Sequence, residues 1–264
     1  MLQTDYPLSN DQIQAYARDG HILIKNIASR DEVDSFRPLL QDVVRKAAKA
    51  KAASGKTGGY APFFTQVTNV WRQDERLQNI VFARRFAKIA AELMGVSGVR
   101  LYHDQALFKP PDGKATPWHQ DQFYWPLDTP STITMWMPLL DTPEEMGTMV
   151  FASGSHRSGP LTSLPISEDA DRAYEQLTRQ HRFPLRSYSL DAGDATFHAG
   201  WTVHSTHPNR TGTAREVLAI IYYPDGTRIL EPDSEFRKVD MQAFHPGQQP
   251  GEPAASPLNP LLYP

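Results

Sequence analysis

The stretch Trp118-His119-Gln120-Asp121-Gln122-Phe123-Tyr124-Trp125 places an imidazole and a carboxylate two residues apart, between aromatic side chains. In a β-strand, side chains at positions i and i+2 point to the same face of the sheet, so His119 and Asp121 are predicted to reach one bound ion. The pair alone carries little weight, because His-x-Asp arises by chance in many proteins. A third ligand elsewhere in the chain has to complete the site.

Three later histidines compete for that third position: His198, His204 and His207. His198 ends a strand pattern, and His207 precedes a proline in a loop, where nothing fixes its direction. His204 is favoured because Thr206 follows it and Arg215 opens the next apolar run. Two imidazoles and one carboxylate on one face form the facial triad of non-haem Fe(II) oxygenases.

Arg215 stands before the apolar segment Val217 to Tyr223, and two interpretations are open for it. A structural arginine would offer its fork to a local carboxylate. A binding arginine would take the carboxylate of a dicarboxylic co-substrate through two parallel charge-assisted hydrogen bonds, a geometry that lysine does not reproduce.

Composition narrows the classes of function. The 264 residues include no cysteine, which excludes disulfides, thiolate nucleophiles and thiolate metal sites. A metal would therefore be held by His, Asp or Glu. With 27 Lys and Arg against 30 Asp and Glu, the net charge of −3 gives no reason to expect binding to nucleic acid or to an anionic membrane.

The N-terminal segment shows no basic region followed by an apolar run, as a signal peptide would. No apolar run approaches the roughly 18 residues that span a membrane. We therefore expect a soluble cytoplasmic protein that acts on a small molecule; the sequence does not predict its oligomeric state.

Secondary-structure signals predict helices first and strands afterwards. Ser9 begins a helix that ends at Gly20, Ser29 begins one that reaches about Ala53, and Gly95 closes a helix over Glu75 to Met94. Strand patterns follow at Val99–Lys109, Thr132–Leu140, Gly147–Phe151, Arg186–Leu190, Asp194–His198, Trp201–His204 and Arg215–Tyr223.

This order predicts one domain of mainly β structure with flanking helices. Its core, about residues 99–224, is predicted to be a double-stranded β-helix of the jelly-roll or cupin-like type. The helical part, about residues 8–95, braces that core, and a Pro-rich, weakly patterned tail over residues 225–264 is expected to lie on the surface. In the strand predicted over Val99–Lys109, one face is expected to carry Leu101, His103, Gln105, Leu107 and Lys109.

Several motifs occur together and in order. They are Gln105-x3-Lys109-Pro110-Pro111, Trp118-His119-Gln120-Asp121, Trp136, Gly154-Ser155-His156-Arg157, Ala192-Gly193-Asp194, and His204-Ser205-Thr206-x2-Asn209 with Arg215. On these motifs the sequence resembles the phytanoyl-CoA dioxygenase family of Fe(II)/2-oxoglutarate-dependent oxygenases, over roughly residues 8 to 225. The tail lies outside the resemblance.

The resemblance implies a role for each matching position. The residues concerned are His119, Asp121 and His204 as iron ligands, Arg215 as partner of the distal carboxylate of 2-oxoglutarate, Thr206 as its hydrogen-bonding neighbour, and Gln105 and Trp136 as lining of the co-substrate pocket. At the last two positions, a glutamine or tryptophan of the barrel core that simply packs or caps a strand is the alternative interpretation, and for Gln105 the two interpretations are equally good.

The implied activity is hydroxylation of an unactivated C–H bond with Fe2+, 2-oxoglutarate and O2, releasing succinate and CO2, with ascorbate as a supporting reductant. A carboxylate at Asp121 argues against halogenation, whereas desaturation, cyclisation and epimerisation stay open. The aromatic residues near the motif either fill the core or line a pocket for a largely apolar substrate: Phe63, Phe64, Trp118, Phe123, Tyr124, Trp125 and Trp201.

Two alternatives remain at this point. A cupin-like metal enzyme that does not use 2-oxoglutarate would leave Arg215 without a role. A non-catalytic binding protein of the same fold would be expected to have lost part of the set His119, Asp121, His204 and Arg215, all of which is intact.

Overall fold

Two antiparallel sheets form the core, in a computed structural model that describes residues 2–54 and 64–264. The strands are β1 (His21–Ile24), β2 (Thr65–Thr68), β3 (Val99–Lys109), β4 (Thr116–His119), β5 (Ile133–Pro138), β6 (Met149–Ala152), β7 (Leu185–Ser187), β8 (Ala195–Ala199), β9 (His204–Thr206), β10 (Arg215–Pro224) and β11 (Leu261–Tyr263). The larger sheet has the order β1-β8-β5-β10-β3-β11, with β2 also paired to β3, and the smaller one the order β4-β9-β6-β7. The predicted double-stranded β-helix is confirmed.

Six α-helices accompany the sheets in the described part of the chain. They are α1 (Asn10–Asp19), α2 (Arg30–Ser54), α3 (Gln78–Val81), α4 (Arg84–Met94), α5 (Glu168–His181) and α6 (Glu235–Phe244). Both predicted N-terminal capping boxes are present, at Ser9 with Gln12 and at Ser29 with Glu32. No helix within residues 2–54 and 64–264 has the length and apolar character needed to cross a membrane.

The main hydrophobic core lies between the N-terminal helices and the outer face of the larger sheet. On β5, Ile133, Met135 and Met137 face this core, while Trp136 belongs to a separate cluster on the opposite face, as the alternation predicted. The inner face of the larger sheet is thereby left free to line a cavity against the smaller sheet.

The helix predicted over Glu75 to Met94 is wrong in its continuity. Glu75–Leu77 forms a 3-10 turn, α3 follows, and α4 begins only after Ala83, whose extended backbone (φ −61°, ψ 116°) breaks the helix. Apolar residues on both sides of the break are buried in the main core, so the hydrophobic periodicity gives no sign of it. The predicted end of α4 at Gly95 is confirmed, with φ +68°.

A β-bulge in β3 overturns part of the predicted face. His103 pairs with Ile221, but Leu101 pairs with Tyr222, so Tyr102 is an extra residue on β3. The bulge reverses the alternation, because side chains change face with each residue. Leu101 therefore enters the main core, whereas His103 and Gln105 line the cavity.

Two further predictions are wrong: the start of the strand predicted over Trp201–His204, and the weakly structured tail after residue 224. The strand predicted over Trp201–His204 begins only at His204, because the Thr202 N–H donates to Ala199 O at 2.8 Å and closes a turn. The segment after residue 224 is more ordered than its Pro-rich composition indicated: it contains α6, capped by Ser234, and β11, which pairs with β3.

Asp104 is a fully buried carboxyl group on the core side of β3. Its Oδ2 accepts from the Val70 N–H at 2.8 Å, and its Oδ1 has no hydrogen-bond partner among the described residues. Burial outweighs these backbone contacts and raises the pKa of Asp104 to about 7. The folded state therefore holds the Asp104 proton more tightly than the unfolded state does.

We expect Asp104→Asn to stabilise the protein at pH 8. The wild-type penalty is absent below the unfolded pKa, grows between about pH 4 and 7, and is complete above pH 7, where it reaches up to about 4 kcal/mol. Thermal unfolding at pH 8 and pH 5 measures the difference, which should be larger at pH 8. A gain independent of pH, or one matched by the exposed Asp169→Asn, would contradict this account.

Candidate metal centre and its cavity

The centre is built where the two sheets face each other. His119 ends β4 and lies directly opposite His204, the first residue of β9. Asp121 follows in a 3-10 turn over Asp121–Phe123, so it does not share a strand with His119, and the predicted strand alternation is wrong as the cause of their proximity. Their side chains nevertheless converge: Asp121 Oδ1 lies 3.5 Å from His119 Nε2 and 3.6 Å from His204 Nε2.

Both imidazoles are held with Nε2 toward the centre. His119 Nδ1 lies 2.7 Å from Pro117 O and His204 Nδ1 lies 2.9 Å from Thr202 O, so each Nδ1–H donates to a backbone carbonyl. Burial, and next the adjacent His119, hold the pKa of His204 well below its ordinary value. A neutral His204 presents an Nε2 lone pair, which is the form that binds metal.

Asp121 is held from behind by two donors. Its Oδ2 accepts from Thr134 Oγ1 at 3.1 Å and from His198 Nε2 at 3.2 Å. Burial alone would raise the pKa of Asp121, but the imidazoles of His204, His119 and His198 outweigh it and keep the carboxyl group ionised. His198, one of the three histidines that competed for the third position, therefore orients Asp121 through its far oxygen.

The donor set fits a divalent transition metal. Two imidazole nitrogens and one carboxylate oxygen lie within 4.8 Å of one another on one side of the centre. Ligand atoms about 2.0–2.2 Å from a common ion would lie about 3 Å apart, so small side-chain adjustments suffice. This set matches the two-His, one-carboxylate arrangement of non-haem Fe(II) sites.

We expect His198→Leu to lower metal affinity by about 10–100-fold, since the partners that orient a ligand typically contribute that much. Titration of the purified variants with Fe(II) or Co(II) measures the effect. His207→Leu is the matched control, because the His207 imidazole makes no hydrogen bond with the described residues and only its backbone takes part in the fold. Equal losses in the two variants would contradict a specific role for His198.

The centre opens into a cavity of about 340 Å³. The three residues of the centre line this cavity. The four residues that the resemblance assigns to the co-substrate line it as well: Gln105, Trp136, Thr206 and Arg215. Gln105 Oε1 accepts from Gln66 Nε2 at 2.6 Å, and the Trp136 ring lies 5.1 Å from the Arg215 guanidinium carbon. The structure thus places these four side chains with the centre in one cavity.

Arg215 is a buried cation that lacks a counter-ion within the described part of the chain. It is 1% exposed, it donates to Gly147 O, and no described carboxylate lies within ion-pairing distance of it. Burial lowers the pKa of Arg215 to about 9, which leaves it charged at neutral pH. A buried guanidinium without a carboxylate is costly unless an anion binds it.

A hydroxyl network beside Arg215 contains a residue that the sequence prediction missed. Thr206 Oγ1 accepts from Lys109 Nζ at 2.7 Å and from the Thr116 N–H at 3.1 Å. With two donors already directed at it, Thr206 Oγ1 donates its own proton to Thr116 Oγ1 at 2.9 Å. The Thr116 O–H is then the hydroxyl proton left for a ligand in the cavity, which Thr116 also lines.

The aromatic residues near the motif divide into two groups. Phe64, Tyr124 and Trp125 line the cavity, whereas Trp118 packs against a cluster near α5. Phe123 and Trp201 are not among the lining residues, and Phe63 lies outside the described residues.

Helix α6 supplies a wall that the sequence prediction also missed, through Val239, Asp240, Ala243 and Phe244. The signal available in the sequence was Ser234, whose side chain caps the helix by accepting from the Arg237 N–H.

A jelly roll that directs a His-x-Asp pair and a distant histidine into one cavity with a buried arginine defines the class of Fe(II)/2-oxoglutarate-dependent oxygenases. The family follows from a comparison of sequences: the model described as phytanoyl-CoA dioxygenase (PhyH) matches residues 16–217. The chain belongs to this family and retains the triad His119, Asp121 and His204.

Relatives agree with this assignment. Peroxisomal phytanoyl-CoA dioxygenase from Rattus norvegicus is 27% identical over 232 residues, covering 81% of this chain and 68% of the rat protein. Two solved structures share the fold: the α-ketoglutarate-dependent carbocyclase SnoK from nogalamycin biosynthesis (TM-score 0.78, 24% identity, 96% of each chain), and the epimerase SnoN with Fe3+, α-ketoglutarate and nogalamycin RO (TM-score 0.73, 24% identity, 96% of this chain and 97% of SnoN).

Proposed function

We propose that the chain binds Fe(II) through His119, Asp121 and His204, binds 2-oxoglutarate through Arg215, and hydroxylates an unactivated C–H bond of a small, largely apolar molecule. The observation that carries the proposal is the buried Arg215, which has no carboxylate partner among the described residues and lines the same cavity as the triad. A cupin-like enzyme without 2-oxoglutarate would leave this cation unexplained.

When bound, Fe(II) with 2-oxoglutarate and O2 supplies the oxidising power for C–H cleavage, and the co-substrate leaves as succinate and CO2. The chain's own residues position the reactants. Arg215 offers its fork to the distal carboxylate, and the Thr116 O–H donates to the same group. Trp136 packs beside the guanidinium.

The wall away from Arg215 supports an apolar substrate. Tyr124, Trp125, Ile221 and Phe244 face the cavity there, and Val239 is 63% exposed at its edge. Aromatic and aliphatic walls bind ligands mainly by excluding water from apolar surface. They also fix which C–H bond lies nearest the metal.

Thr116→Val is expected to weaken 2-oxoglutarate binding by about 10–100-fold, because a hydrogen bond to a charged group contributes about 1.5–3 kcal/mol. Anaerobic titration of the Fe(II)-loaded protein with 2-oxoglutarate measures the dissociation constant. Thr116→Ser, which keeps the hydroxyl group, should bind nearly as tightly as wild type. If the valine variant binds as tightly as the serine variant, the Thr116 O–H does not contact the co-substrate.

Iron titration followed by 2-oxoglutarate tests the reaction class. A charge-transfer band in the visible under anaerobic conditions is expected on addition of 2-oxoglutarate. Iron binding without that band would favour a cupin-like enzyme, and failure to bind iron would favour a non-catalytic binding protein.

Product analysis then tests hydroxylation. Purified protein with Fe(II), ascorbate and 2-oxoglutarate is assayed for succinate formation with each of a panel of apolar candidate substrates. The product of any candidate that accelerates succinate formation is then identified by mass spectrometry. Gain of one oxygen atom supports hydroxylation. Loss of two hydrogen atoms would instead indicate cyclisation or desaturation, and an unchanged mass would indicate epimerisation. Either result would overturn the proposed hydroxylation.

A further inference from the structure

Helix α6 brings a carboxyl group to the apolar end of the cavity. Asp240 lines the cavity with Val239, Ala243 and Phe244, all of which follow residue 217, where the match to the family model ends. The feature is therefore a property of this chain's own C-terminal segment. A carboxyl group on an otherwise apolar helix face is costly unless it is hydrogen-bonded.

The Asp240 carboxyl is half satisfied by the protein. Its Oδ2 accepts from the Tyr102 O–H at 2.6 Å, and Tyr102 is itself fully buried, with its ring centroid 5.3 Å from that of Trp125 and 5.4 Å from that of Phe244. Its Oδ1 makes no hydrogen bond to any residue that the structure describes, and no described Lys or Arg pairs with it.

Nearby polar groups do not supply the missing donor. Arg237, one turn earlier on α6, is engaged by Asp233 at 3.1 Å and by Phe123 O at 3.2 Å. His103, which also lines the cavity, stacks on Phe244 with ring centroids 4.2 Å apart, and its Nδ1 contacts its neighbour's carbonyl at 3.4 Å. Burial raises the pKa of Asp240 to about 7, which agrees with a site that lacks a cationic partner.

The two ends of the cavity thus have opposite preferences. The Arg215 end accepts an anion, while the Asp240 end presents an oxygen acceptor surrounded by apolar surface. We propose that Asp240 is a specificity-determining residue whose Oδ1 accepts a hydrogen bond from a hydroxyl or ammonium group of an otherwise apolar prime substrate. This inference rests on the proposed function and specifies that the largely apolar substrate carries one hydrogen-bond donor. A substrate with a carboxylate or phosphate at that position would be rejected by the acceptor.

The test uses three probes with one carbon skeleton: 2-phenylethanol, 2-phenylethylamine and ethylbenzene. Binding to full-length protein loaded with Mn(II) and 2-oxoglutarate is measured by ligand-observed NMR without O2 turnover. In wild type we expect the alcohol or the amine to bind at least about fivefold more tightly than ethylbenzene. In Asp240→Leu this preference should disappear.

Asp240→Asn separates the two donors. An amide still accepts from a hydroxyl group but carries no negative charge, so the preference for the alcohol should survive in this variant, whereas a preference for the amine should be lost. Glu235→Gln is the matched control, because it removes a charge from the exposed face of the same helix and should leave all three affinities unchanged.

A wild-type protein that discriminates among the probes no better than Asp240→Leu overturns the inference. Failure of the proposed function is detected separately, by the absence of 2-oxoglutarate binding to the wild-type metal-loaded protein before any probe is added. Loss of the alcohol preference in Asp240→Leu, with thermal unfolding unchanged, would support the proposed contact between Asp240 and the substrate. Equal loss of affinity for all three probes would indicate a purely structural role for the Asp240–Tyr102 bond.

Discussion

Asp121→Ala is expected to lose more than about 100-fold in metal affinity and to form no succinate above the metal-free background. The expectation exceeds the 10–100-fold loss typical of residues that only orient a ligand, since Asp121 is proposed to supply a ligand atom itself. Its Oδ1 lies 3.5–3.6 Å from both histidine Nε2 atoms, and removing it takes away the one negative charge of the donor set.

The same substitution has a second consequence. Without the carboxylate, His198 Nε2 and Thr134 Oγ1 lose their shared acceptor, so the stability of the fold is expected to change as well. We therefore measure thermal unfolding beside metal titration and succinate formation. Asp169→Ala, which removes only an exposed ion pair with Arg172 on α5, is the control and should leave metal affinity and succinate formation unchanged. Full succinate formation by Asp121→Ala would show that the ligand assignment is wrong.

The sequence predicted the parts of the site that depend on residue type and order. His119, Asp121, His204 and Arg215 are recognisable because few other residue types bind iron or a carboxylate in those ways. Of the strands around the site, β10 was predictable as a long apolar run and β5 from its alternation, whereas β4 and the start of β9 were not predicted. The register that places His119 opposite His204 follows from the fold and has no local signal.

What the sequence missed are single-residue events and distant contacts. Tyr102 is one extra residue in a regular strand pattern, yet it moves Leu101 from the cavity face to the core. The donor role of Thr116 depends on which protons Thr206 already receives, which only atomic positions reveal. Asp240 lies on α6, in the Pro-rich C-terminal segment. This helix forms a wall of the cavity only through tertiary packing, for which the sequence has no local signal.

Arg215→Lys is expected to raise the dissociation constant of 2-oxoglutarate by about 10–100-fold, with metal affinity in its absence unchanged. Lysine keeps a positive charge but offers a single point of contact, so one of two parallel charge-assisted hydrogen bonds is lost, at a cost of about 1.5–3 kcal/mol. The exposed Arg210→Lys is the matched control and should bind 2-oxoglutarate as wild type does.

A comparison of two ligands separates the lost fork from general damage around a buried side chain. 2-Oxobutyrate keeps the 2-oxo acid and lacks the distal carboxylate that Arg215 is proposed to bind. If the fork acts on that carboxylate, Arg215→Lys should weaken 2-oxoglutarate strongly and 2-oxobutyrate little, so that the preference between them shrinks by about the same 10–100-fold. Equal weakening of both ligands would assign Arg215 to the structure of the cavity, through its bond to Gly147 O and its packing on Trp136, and would remove the main support for 2-oxoglutarate as the co-substrate.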